Sequence, residues 1–80
     1  MRRQTSMRFS GEEYTFTSED VSRISRDVPP ERITQYFVEL HGRRYPPKQL
    51  IRLVTGTRKK FNSANARSAL TRLGFVVKSQ

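Results

Sequence analysis

Residues 31–56 read ERITQYFVELHGRRYPPKQLIRLVTG, and the way the first ten of them are taken decides the fold. Ile33, Tyr36, Phe37 and Leu40 have the spacing of one helix stripe. The same run is rich in β-branched and aromatic residues, which pack well on a pleated surface, and His41-Gly42 offers a tight turn into Arg43-Arg44-Tyr45. The turn tips the balance toward a hairpin, with Tyr36, Val38 and Leu40 facing the core. Pro47 then opens a helix, because its missing N–H is not needed in a first turn. Leu50, Ile51, Leu53 and Val54 fill one side of that helix, Lys48 and Arg52 share the other, and Gly56 stops it.

Downstream, residues 57–61 (TRKKF) read as a basic loop. Asn62 or Ser63 caps a further helix whose Ala66, Ala69, Leu70 and Leu73 fall within a 100° arc. Gly74 ends it, and Phe75-Val76-Val77 reads as a last strand. Upstream, Met7 and Phe9, then Tyr14 and Phe16, alternate with polar residues around Ser10–Glu13, the pattern of two short strands joined by a turn. Ser18 is the expected cap of a helix over 19–27, with Glu19 and Asp20 in its first turn and Val21, Ile24 and Val28 at helical spacing. Pro29-Pro30 closes that segment. Residues 1–6 have nothing to pack and are expected to form a flexible basic arm ahead of a single domain over 7–80. The predicted order is ββ-α-ββ-α-α-β, a small α+β domain.

Eighty residues with 34% hydrophobic content support one thin core. Without cysteine there is neither a disulfide framework nor a thiolate metal site. No apolar run approaches the roughly 18–20 residues that cross a bilayer, and the basic start MRRQTSMRF lacks the apolar stretch of a signal peptide. Membrane association is not expected, and the expected location is the cytoplasm, at the nucleoid.

The charge is the informative quantity. Net charge is +9, and all seven acidic residues lie before residue 40, where they meet six basic ones. From Leu40 to Gln80 there is no acid, against ten lysines and arginines. A single-sign stretch of that length steers and holds a polyanion. Two patches are expected to do so. In the first, Arg43 and Arg44 stand beside Lys48 and Arg52, with Tyr45 either stacking on a base or serving as a core aromatic. In the second, Arg58, Lys59 and Lys60 precede a helix N-terminus at Asn62 and Ser63 that could seat a phosphate. The outer face of that helix carries the small residues Ala64, Ser68 and Thr71, flanked by Arg67 on one side and Asn65 and Arg72 on the other. Such a face could approach a groove, with the arginines reaching phosphates or guanine edges. Phe61 and Phe75 are assigned to the core.

Catalysis has little to build on. His41, the only histidine, falls in a turn, and the basic half has no carboxylate to hold a metal. No enzyme activity, metal or cofactor is expected.

The segment GRRYPPKQLIRLVTG, followed by FNSANARSALTRLGF, resembles a small basic domain of actinobacterial proteins of unassigned function. It is also similar to the N-terminal head modules of modification-dependent HNH restriction endonucleases, in which a Tyr-Pro-Pro-Lys turn precedes a helix and Leu-Gly-Phe closes the unit. The resemblance spans roughly residues 32–77. It implies that Tyr45, Pro46, Pro47 and Lys48 form the turn-and-helix junction, that Leu73, Gly74 and Phe75 form the packing end, and that the module binds DNA. No nuclease domain is expected beside this module, so cutting is not implied. The leading expectation is DNA binding, in transcription regulation or as a nucleoid or defence factor. RNA or ribosome binding, or docking on an acidic protein partner, are the alternatives.

Overall fold

The computed structural model describes residues 3–9, 11–58 and 60–80. Its elements are β1 (Gln4–Phe9), β2 (Glu12–Thr17), α1 (Ser18–Ser25), β3 (Tyr36–Leu40), β4 (Arg43–Tyr45), α2 (Pro47–Thr55), α3 (Ser63–Arg72) and β5 (Val77–Ser79). The order is the one expected, and the fold is α+β with three helices and two small antiparallel sheets.

The run 36–40 is a strand because its turn permits it. His41 has φ 54° and Gly42 φ 73°, the pair of positive values that matches the twist of a two-residue hairpin. Val38 therefore faces Tyr45 and Leu40 faces Arg43, while β5 adds to the other edge of β3 with Val38 opposite Val77. The His41 ring also ties the turn to α1, its Nε2 lying 2.8 Å from the Ser22 carbonyl. Tyr36 and Leu40 are half-buried and Val38 fully buried. Phe37, on the opposite face, is only 5% exposed, because the Arg44 guanidinium lies 4.6 Å from its ring centroid.

Thr5, Met7 and Phe9 on β1 are buried and stand across from Phe16, Tyr14 and Glu12 on β2. Strand pairing thus begins at Gln4, and the expected arm over 1–6 is corrected: residues 4–6 belong to the sheet, where Thr5 has a buried cross-strand neighbour. Met1 and Arg2 lie outside the described residues.

Helix α1 is capped by Thr17 and not by Ser18. The Thr17 hydroxyl accepts from the Asp20 N–H at 3.0 Å, and the Asp20 carboxylate accepts from the Thr17 N–H at 3.0 Å, so two otherwise unmatched donors are satisfied reciprocally. The helix ends at Ser25, two residues early. Its buried face is Val21 and Ser25, leaving Ile24 45% exposed. Ser25 tolerates burial because its hydroxyl donates to the Val21 carbonyl at 2.9 Å.

On α2, Leu50 and Ile51 are fully buried while Leu53 and Val54 are half-buried. Gln49 is buried too, with its amide donating to the Pro29 carbonyl at 3.0 Å and accepting from the Glu31 N–H at 2.8 Å. One side chain thereby holds the Pro-Pro segment against the helix. Helix α3 closes with Gly74 at φ 96°, where the Gly74 N–H bonds Thr71 O at 2.9 Å and the Phe75 N–H bonds Leu70 O at 3.1 Å. This termination takes up the backbone of Gly74 and Phe75, so the last strand starts at Val77 and not at Phe75. A single cluster joins Met7, Phe9, Phe16, Val21, Val38, Tyr45, Leu50, Ile51, Phe61 and the Ala66, Ala69, Leu70, Leu73 face of α3.

Candidate nucleic-acid interface

An amphipathic α2 that buries Leu50 and Ile51 must turn Lys48 and Arg52 outward, one turn apart. Gly56, at φ 70°, then reverses the chain. The following loop is anchored at both ends, by Thr57 (9% exposed) and by Phe61 (8% exposed), whose ring lies 5.0 Å from that of Phe9. Arg58 and Lys60 are exposed between these anchors. Lys48, Arg52, Arg58 and Lys60 consequently line one cleft of about 250 Å³ with Phe61. The Lys48 ammonium is 5.6 Å from the Phe61 ring centroid. Lys59, expected in the same loop, lies outside the described residues.

Acids of the first half reach only part of the basic half. Arg52 is paired with Glu31 at the rim of the cleft. Among the described residues, no carboxylate pairs with Lys48, Arg58 or Lys60. Lys78 bridges Glu39 at 2.7 Å. That hydrogen bond and the charge of Lys78 hold the Glu39 carboxyl below the usual glutamate range, opposed by desolvation and helped least by the nearby Arg44. Arg44 and Lys78 therefore sit with Glu39 and Phe37 on the outer face of the three-stranded sheet, and Arg43 stands at the hairpin end. The expected grouping of Arg43 and Arg44 with Lys48 and Arg52 is corrected: neither hairpin arginine lines the cleft.

Tyr45 is also corrected as a stacking residue. It is 0% exposed, and its hydroxyl lies 2.7 Å from the Val28 carbonyl and 2.9 Å from that of Ser25. It is a core aromatic that joins β4 to the end of α1.

The outer stripe of α3, Ala64, Ser68 and Thr71, is exposed as its spacing requires. Its flanking arginines are not free. The Arg67 guanidinium lies 4.0 Å from the Tyr36 ring centroid, and its Nε is buried without a hydrogen-bond partner. Arg72 donates through Nε to Thr5 at 2.8 Å, through Nη1 to Ser68 at 2.9 Å and through Nη2 to the Ser6 carbonyl at 3.1 Å. These two side chains tie α3 to the sheets on either side of it, so the expected groove-reading pair is committed to the fold. Arg72→Ala is accordingly expected to lower stability by about 1 kcal/mol in denaturant unfolding, typical of lost hydrogen bonds at a partly exposed site. The salt dependence of DNA binding should stay unchanged. A flattened dependence would return Arg72 to the interface.

Asn62 is the cap of α3, accepting from the Asn65 N–H at 2.7 Å. Ser63, beside it, lines a second depression of about 120 Å³ with Thr34, Gln35, Tyr36, Pro46, Pro47 and Lys48. Tyr36, Pro46 and Pro47 at this place are what the sequence reading missed. Nothing in the spacing says that a residue assigned to the core face of β3 borders a surface depression. Among the described residues, no group of three or more His, Asp and Glu side chains is placed to hold a metal ion, and no helix is long and apolar enough to cross a membrane.

These features define a small α+β domain with a concave basic cleft between α2 and the loop that follows it. The chain belongs to the SCO5918-like family, whose sequence model matches residues 3–80. No curated protein and no solved structure matches it.

Proposed function

We propose that this protein is a non-enzymatic nucleic-acid-binding module, with DNA ahead of RNA as its ligand. The observation that carries the reading is the cleft itself. Two cations of α2 and two of the following loop converge on it, and three of them have no carboxylate partner among the described residues. Like charges gathered in a concavity raise the local potential and attract a phosphate polymer. The preference for DNA rests on the likeness of the Tyr45-Pro46-Pro47-Lys48 and Leu73-Gly74-Phe75 segments to DNA-binding head modules of HNH restriction endonucleases. The roles this reading covers are those of a transcription regulator, a nucleoid-associated factor or an accessory defence component.

The test is a titration of random-sequence duplex DNA across a salt series. Each neutralised phosphate contributes about 0.9 to the slope of log affinity against log salt, so four cleft contacts predict a slope near −3.6. Structured RNA at fixed salt should compete less well than DNA of equal phosphate count. No binding of either nucleic acid at low salt, with an acidic protein bound instead, would remove the reading.

A further inference from the structure

Resting on that reading, we infer that the cleft and the depression beside it form one seam that takes an unpaired stretch of nucleic acid, with phosphates in the basic cleft and a base against Tyr36, Pro46 and Pro47. The cleft and the second depression share Lys48 as a wall. The cleft lies between α2 and the Arg58, Lys60 and Phe61 side chains, and the depression between the first turn of α2, residues 34–36 and Ser63 at the start of α3. From Pro46 to Arg52 this seam follows about 9 Å of helix. One end gathers four cations around Phe61, and the other sets Tyr36, Pro46 and Pro47 among the uncharged Thr34, Gln35 and Ser63, with Lys48 between the two. Charge at one end and rings at the other match the phosphate and base of a nucleotide.

Two features favour an unpaired strand over a duplex. In a duplex the base faces are covered by their stacked neighbours, so only an unstacked base can offer a face to a ring. A duplex reader would instead need free arginines on the exposed stripe of α3, where Arg67 and Arg72 are engaged with Tyr36, Thr5, Ser6 and Ser68. The Arg67 contact has a second consequence. A guanidinium 4.0 Å from the Tyr36 ring centroid holds that ring in place before any ligand arrives, and a pre-set platform loses less entropy on stacking.

The experiment compares an oligo-dT of about eight nucleotides, within the site sizes of small single-strand binders, with a duplex of equal phosphate count at the same salt. The single strand should bind at least ~5-fold more tightly, the gain expected from one stacked base. Tyr36→Leu should remove about 5- to 100-fold of the single-strand affinity and leave duplex affinity unchanged, while Tyr36→Phe should retain both. Should Tyr36→Leu fail to fold, amide shifts of the unaltered protein decide: oligo-dT should move Tyr36 and Ser63 as well as Lys48 and Lys60. Equal affinity for both forms with an unaffected Tyr36→Leu, or shifts confined to the cleft, would overturn the inference and leave phosphate binding standing. No binding of either form would remove both.

Discussion

Replacing Lys48, Arg58 and Lys60 together by alanine will flatten the salt dependence of DNA binding by about 2.7 slope units, three contacts at about 0.9 each. At about 0.1 M salt the same rule makes each contact worth roughly eightfold relative to 1 M salt, so affinity should fall on the order of 10²- to 10³-fold for every sequence alike. The three residues are exposed, and the main contact at risk is the Lys48 ammonium over the Phe61 ring. Stability should therefore change little. Lys78→Ala is the control: it removes the same charge from a cation already paired with Glu39 and should leave the slope nearly intact. If the control and the triple variant lower the slope equally per charge, binding reflects net charge and not the cleft.

Tyr45→Ala will have the largest effect on the fold. The side chain is 0% exposed and sits in the cluster with Val38 and Leu50. Aromatic truncation in a core costs about 3–5 kcal/mol. A domain of this size has on the order of 4–12 kcal/mol in all, so much of the folded population is at stake. Tyr45→Phe keeps the ring but withdraws the donor from the Val28 and Ser25 carbonyls, and should cost about 1–2 kcal/mol. Thermal or denaturant unfolding separates the two cases. A Tyr45→Ala protein as stable as the parent would mean that the hairpin does not depend on this contact.

The pH response should be modest and of one sign. The Glu39 carboxyl is held below its ordinary range by Lys78, so its bridge contributes above the unfolded-state pKa. The contribution is lost as pH falls through the lower folded-state value. Glu39→Gln should remove that part of the acid dependence, read as a smaller drop in melting temperature between neutral and acidic pH.

Much of the architecture was legible because local chemistry and tertiary packing agree. Pro47 and Gly56 bracket α2 and His41-Gly42 forms the hairpin turn, each for a backbone reason that needs no distant partner. The disagreements fall where a side chain chose a partner across space. Ser18 had the composition of a cap, but Thr17 and Asp20 form the reciprocal pair. Ile24 had the spacing of a core residue, but α1 turns Ser25 inward instead.

The candidate site divides in the same way. Sequence determined that the second half of the chain is cationic, that Lys48 and Arg52 leave the buried side of α2, and that Arg58 and Lys60 follow a helix stop. Helical periodicity and the missing carboxylates suffice for that. Only the tertiary structure decided which cations share a surface. An arginine is long enough to reach solvent, an aromatic face or a neighbouring strand, and spacing does not distinguish these ends. Folding sends Arg72 to β1, Arg67 to Tyr36 and Arg44 to Phe37, and leaves the cleft beside α2 to the four residues that line it with Phe61.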